Sequence, residues 1–308
     1  MALILTSDTN EPDTSAIERG LRRAPLAVLL LAPSLVLLAL FTYWPLLLVA
    51  AQSMILDRLG DGGQIGFGNY ARLFADAHFS NAVFNNLIYA VGTILPALAL
   101  ALAFAVVLQE HTRFATVLRT LIVMPLMIPL VAAAALFAFI YLPGGGLIDF
   151  YLAKLGVLRT HNWLGDSSYA LTAVIIVTVW KNTGYYMLFF LAGLAGVPAD
   201  VVDAARLDGA NALQRFRYVI LPLLGPTFGF VIPIAILNAL TQIDHVVTMT
   251  QGGPNDATSL VLYYIYQQAV QNSDNGLAAA ATVVSVAGLL AATALARRSL
   301  ETSIHYAS

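Results

Sequence analysis

VPADVVDAARLDGANALQRFRYVILPLL, Val197 to Leu224, lies between two strongly apolar runs. It carries Asp200, Asp203 and Asp208 with Arg206, Arg215 and Arg217, in a chain that is only 10% charged. Pro198 can open a helix, and Asp200 or Asp203 in the first turn suits the positive end of the helix dipole. Ala204 and Ala205 favour helix and present almost no side chain. Gly209 can stop the helix in a left-handed conformation. A second short helix, Ala212 to Tyr218, then leads to Leu221 and Pro222, where the next apolar run starts. The expected product is a short charged helix, a sharp turn and a rigid return. The plainer reading of the same composition is a solvated loop.

The surroundings decide what such a loop connects. The chain has 308 residues, 59% of them hydrophobic, with a mean hydropathy of +0.79. Soluble domains average about 45–50% apolar and roughly 25% charged residues, so this is the composition of an integral membrane protein. Six runs reach the roughly 20 apolar residues that a bilayer core requires: Leu26–Gln52, Val83–Leu108, Leu121–Leu142, Leu171–Leu194, Leu221–Ile243 and Leu277–Ala296. The expected fold class is all-α, with six transmembrane helices. The first run is too long for a cleaved signal peptide, and no small-residue cleavage site follows it.

Lysine and arginine placement sets the orientation. With the N-terminus inside, the inner segments hold Arg19, Arg22, Arg23, Arg113, Arg119, Arg206, Arg215, Arg217, Arg297 and Arg298. The outer segments hold only Arg58, Arg72, Lys154 and Arg159. Both termini and the charged loop are therefore expected in the cytoplasm. The division is a cytoplasmic tail over 1–25, a membrane domain over 26–296 with the loop at 198–222, and a second cytoplasmic tail over 297–308. Pro33, Pro45, Pro96, Pro125, Pro129 and Pro233 interrupt spans, either as ordinary kinks or as bends around a cavity. GPTFG, Gly225–Gly229, fits a small-residue packing pattern, but Pro226 makes a helix start the better reading.

Catalytic signals are thin. No cysteine is present, which excludes disulfides and thiolate sites. The two lysines, Lys154 and Lys181, lie in no phosphate-binding loop, so the chain cannot bind ATP that way. The five histidines, His78, His111, His161, His245 and His305, are scattered. There is no basic patch for nucleic acid. An ion-coupled transporter should carry an acidic residue within a span, and none lies well inside one. A membrane enzyme should cluster His, Asp or Glu at membrane depth, and none does.

The loop also carries a spaced pattern: Asp203-Ala204-Ala205, then Gly209, then Val219, then Leu221-Pro222. It resembles the EAA loop of the membrane subunits of ATP-binding-cassette importers. Asp203 stands where the family has Glu, and Val219 where it has Ile. TQGGPNDATSLVLYYIYQQAV (Thr250–Val270), GFGNYARLFAD (Gly66–Asp76) and GLAAA (Gly276–Ala280) are similar to blocks of the carbohydrate branch, which includes the maltose importer. The resemblance runs from about Leu26 onward. It implies a type I importer permease in a prokaryotic inner membrane, paired with a second homologous permease. Two ATPase subunits, which bind the ATP and magnesium, and an extracytoplasmic solute-binding protein complete the assembly. No cofactor is expected in this chain. Asp203, Ala204, Ala205, Asp208, Gly209, Ala210, Leu221 and Pro222 would form the ATPase-coupling loop.

Lys181, in VWKNTGYYMLFFLAGL, is ionisable at membrane depth, where a lysine costs roughly 2.5–3.5 kcal/mol on insertion scales. Helical spacing places it with Asn182 and Tyr185. It either anchors a helix pair or snorkels, or it faces a cavity. The resemblance implies the cavity, because the branch's ligand-contact positions fall on Lys181, Asn182 and Tyr185. In the fifth span they fall on Ala239 and Gln242, with Asn238 adjacent. Asp244 and His245 read as a solvated boundary at the outer end. VWK…LFF (Val179–Phe190), the run from Pro129 and the tail SLETSIHYAS resemble the first permease subunit of glycerol-3-phosphate importers. That implies a phosphorylated glycerol or a glycerophosphodiester as solute, with a neutral oligosaccharide such as maltose or trehalose as the alternative.

Overall fold

The computed structural model describes residue 28 and residues 30–56, 63–110, 112–156 and 161–301. The N-terminal tail over 1–25, and most of the C-terminal tail, lie outside the described residues. The chain divides into two compact units, Met1–Ala51 and Gln52–Ser308. In the first, residues 30–51 belong to α1, Leu30–Ser53. This helix widens to a π turn over Ala39–Tyr43, where the Trp44 N–H bonds the Ala39 carbonyl. Pro45 follows directly. A proline ring clashes with the carbonyl four residues back, and a wider turn relieves that clash.

The second unit starts with a two-stranded antiparallel ribbon, β1 (Ile55–Leu56) against β2 (Gln64–Ile65), with Ile55 opposite Ile65. Helix α2, Gly68–Ala75, buries Asn69 and Leu73. Asn69 donates to the Ser53 and Ile55 carbonyls at 3.1 and 2.9 Å. The long helix α3, Ala77–Val107, starts on an Asp76 cap that accepts from the His78 N–H. The third run is not one helix. It forms α4, Arg113–Met127, and α5, Leu130–Ile140, bent by 101°. Pro129 is the cause. A residue before proline is driven out of the helical region, and Ile128 adopts φ −80°, ψ 128°. Pro125, one turn earlier, stays inside its helix.

A short helix α6, Leu147–Lys154, leads to α7, Ala170–Ala195. Beside α6, the Gly144 N–H and then the Trp163 indole hold the Asp149 carboxyl below the ordinary carboxylate range. The loop helices α8, Ala199–Leu207, and α9, Ala212–Arg215, follow. The fifth span is α10, Gly225–Thr241, with Pro226 at its start. It begins later than expected because Leu224 leaves the helical path at ψ 1°, so Leu221–Leu223 belong to the loop. Its helix is interrupted where Gln242 turns extended at ψ 121°, and a separate helix α11, Asp244–Met249, carries the span on to Met249. Helices α12, Val261–Tyr266, and α13, Asn275–Glu301, complete the chain.

Five helical segments are long and apolar enough to cross a membrane, with α10 and α11 together as Gly225–Met249, or six if α4 and α5 also count as one span. The main core lies between α3, α4, α7 and α10, around Tyr186, Met187, Phe190, Leu224 and Val231. Helix α7 is the central element: thirteen of its residues are buried, and it packs most extensively on α3 and then on α4. Helix α5 packs instead chiefly on α11.

Candidate functional site

Two constellations stand out, and the first is the loop after α7. Pro198 caps α8 in an extended conformation, and Asp200 occupies the first turn. Gly209 sits at φ +81°. Its N–H donates to the Arg206 carbonyl at 3.1 Å, and the Ala210 N–H donates to the Ala205 carbonyl at 3.0 Å. That pair of bonds is a Schellman turn, which a left-handed glycine permits. Asn211 then opens α9 with a reciprocal cap, in which each backbone N–H of Asn211 and Gln214 donates to the other's side-chain oxygen. Arg215 closes the turn by donating to the Ala210 carbonyl at 2.7 Å. A π turn over Phe216–Ile220 precedes Leu221 and Pro222, as another does before Trp44 and Pro45. The leucine-proline pair is thus accommodated by the same widening.

No residue of α8 or α9 is buried. Asp203 and Arg206 pair at 3.0 Å in full exposure, so the pair contributes little to stability. Ala204 is exposed beside them, and Asp208 follows at the helix end. The large apolar side chains of this loop also point outward: Leu207 is 90% exposed, Leu213 72% and Tyr218 71%. A rigid turn that displays apolar side chains among charges is suited to contact with another protein.

The second constellation lies within the spans. Lys181, Asn182 and Tyr185 do not share one destination. Adjacent helix residues point about 100° apart, and each finds a different neighbour. Lys181 is buried, and its Nζ donates to the carbonyls of Ile128, Pro125 and Leu126 at 2.5, 3.2 and 3.5 Å. Asn182 lines a closed space of about 10 Å³ between α3, α7 and α10, with Thr93, Thr178 and Tyr186. Tyr185 stacks edge-on against Phe189. From α10, Asn238 donates to the Tyr186 hydroxyl at 3.2 Å. Gln242 occupies the interruption between α10 and α11, its N–H on the Asn238 carbonyl. The structure therefore brings Asn182 and Asn238 to Tyr186 and puts Gln242 at the break in the fifth span. It takes the Lys181 ammonium to the break in the third.

His245 departs from the expected solvated boundary. Asp244 is exposed, but His245 is fully buried, because α11 turns it inward against α3. Its Nε2 meets the Tyr89 hydroxyl at 2.8 Å, and that hydroxyl meets Thr178 Oγ1 at 2.9 Å. Tyr89 and Thr178 carry no sequence signal: each is one hydroxyl in an apolar run. This triad ties α3, α7 and α11 together. Tyr89→Phe leaves His245 and Thr178 without their shared partner, at a cost of about 1–3 kcal/mol for a buried unsatisfied group. Denaturant titration of the purified protein should show that loss. An unchanged midpoint would mean the triad contributes nothing to stability. Among the described residues no group of three or more His, Cys, Asp or Glu could hold a metal.

Comparison with known proteins places this geometry. The family model described as "Binding-protein-dependent transport system inner membrane component" matches residues 96–302. The sn-glycerol-3-phosphate transport system permease protein UgpA of Rhizobium meliloti (strain 1021) is 32% identical over 286 residues, covering 91% of this chain and 96% of that protein. The UgpA protein of Escherichia coli (strain UTI89 / UPEC) is 30% identical over the same shares of the two chains. Among solved structures, a bacterial ABC transporter that imports the acidic polysaccharide alginate superposes with a TM-score of 0.81 at 20% identity, over 93% of this chain and 99% of that one. A second alginate transporter structure, in complex with its alginate-bound periplasmic protein, gives 0.78 at 21% identity, over 90% and 94%.

Proposed function

The chain belongs to the family of inner membrane components of binding-protein-dependent transport systems, and on that footing we propose that it forms half of the path of an importer for sn-glycerol-3-phosphate or a related glycerophosphodiester. The observation that carries the solute is the match to UgpA permeases over 91% of the chain. In this reading the termini and the loop over 198–222 face the cytoplasm. A second homologous permease completes the path. Two ATPase subunits bind the ATP and magnesium, and a solute-binding protein delivers cargo from outside. Asp203, Ala204, Ala205, Asp208, Gly209 and Ala210, with Leu221 and Pro222, form the surface that an ATPase subunit grips. The rigid Schellman turn carries the force back into α10. Solute passes beside Asn182, Tyr185, Asn238 and Gln242.

One observation favours a neutral sugar instead. Lys181 is the sole cation well inside the described spans, and its ammonium is held by backbone carbonyls. A phosphate dianion would then draw its counter-charge from the sister permease. The test is reconstitution of the complete importer in liposomes, with ATP hydrolysis measured against sn-glycerol-3-phosphate and maltose. The phosphate reading expects stimulation by sn-glycerol-3-phosphate alone. Stimulation by maltose alone would replace it with the neutral-sugar reading.

A further inference from the structure

Lys181 occupies an unusual position for a buried cation, because none of its hydrogen-bond partners is a carboxylate. The last carbonyls of a helix have no partner within it, and they carry its negative partial charge. In α4 that end falls at the 101° bend, within the third apolar run. The Lys181 ammonium reaches across from α7 to the Pro125 and Ile128 carbonyls at 3.2 and 2.5 Å. Each partner thereby meets a need of the other: the cation gains acceptors, and the broken helix end gains a donor.

A second contact lies one turn further along α7. A Cβ on Gly184 would stand 2.1 Å from the Ile122 carbonyl oxygen and 2.8 Å from Val123 Cα. Helices α4 and α7 therefore touch backbone to backbone at Gly184. We infer that Lys181 is a positioning residue which, with Gly184, clamps α4 onto α7, so that the first half of the broken third span moves with the coupling loop. A turn of three residues, Gly196–Val197–Pro198, joins α7 to α8. The inference rests on the importer reading only for what drives the loop. The clamp itself follows from the contacts.

The chain has no cysteine of its own, so spin labels can be placed at will. Val117 on α4 and Leu188 on α7 are 57% and 42% exposed. Both would be labelled in the assembled importer in nanodiscs. The α4–α7 distance would be measured by double electron–electron resonance, without nucleotide and with ADP–vanadate. A single narrow distance, the same in both states, is expected. Lys181→Met should lose that narrow peak, and Lys181→Arg, which keeps donors to the carbonyls, should restore it. If Lys181→Met does not assemble, Lys181→Gln keeps a shorter uncharged donor and should broaden the peak in part. A distance that shifts with ADP–vanadate in the unsubstituted protein overturns the clamp. So does a peak that neither Lys181→Met nor Lys181→Gln alters. No solute enters this measurement, so it stands apart from the choice between sn-glycerol-3-phosphate and sugar.

Discussion

Gly184→Val yields no stably folded membrane domain. The added Cβ would lie 2.1 Å from the Ile122 oxygen, 2.8 Å from the Ile122 carbonyl carbon and 2.8 Å from Val123 Cα. All three are backbone atoms, so no side-chain rotation relieves the overlap. Helix α4 would have to retreat from α7 along the contact that also seats the Lys181 ammonium. Overpacking a close-packed site typically costs 1–3 kcal/mol, and here the displaced element is a whole helix, so about 3 kcal/mol or more is expected. Gly184→Ala carries the same Cβ and should lower stability in the same direction by less, since the two γ carbons are missing. Gly288→Ala on α13 is the control, because its Cβ would meet nothing within 4 Å. The measurement is the yield of monodisperse complex by size-exclusion chromatography, with thermal unfolding of what survives. A Gly184→Val complex as stable as the Gly288→Ala one would show that α4 and α7 do not touch there.

That contact also shows where the sequence stops being readable. GPTFG reads as a helix start, and Gly225 and Pro226 do start α10. The backbone contact is at Gly184, a single glycine whose meaning depends on which helix lies opposite. The same holds for Lys181. Its depth is legible from the run around it. Its destination is not, because the acceptors lie some fifty residues earlier in the chain, at carbonyls freed by a break of uncertain angle. Pro129 announces irregularity, but 101° is set by what α5 packs on. His245 looks solvated beside Asp244 until the interruption at Gln242 and Ile243 turns it onto Tyr89. The loop over 198–222 is largely legible for the opposite reason. Pro198, Gly209 and Pro222 act on backbone within five residues of themselves, so local chemistry suffices, whereas the Asn211 cap emerges only in the structure.

Gly209 gives the sharpest test of that loop, because its surroundings separate two effects. A Cβ there meets nothing within 4 Å, so packing does not restrict the side chain. The backbone does: φ is +81°, a region that L residues other than Asn and Asp rarely adopt. Asn, which tolerates the left-handed region, should therefore keep transport. Ala should reduce it, since a left-handed L residue costs roughly 1–2 kcal/mol. Pro should abolish it, because its ring fixes φ near −65° and removes the N–H that bonds the Arg206 carbonyl. Without that turn α8 and α9 change their mutual angle, and the exposed Leu207 and Leu213 shift relative to each other. The spans are untouched, so all three variants should insert and purify in normal amounts. Uptake and solute-stimulated ATP hydrolysis in the reconstituted importer should fall in the order Asn, Ala, Pro. If Gly209→Pro transports as well as the unsubstituted protein, the left-handed turn has no part in coupling. Loss of insertion in Gly209→Pro would instead assign the loop a role in folding the spans.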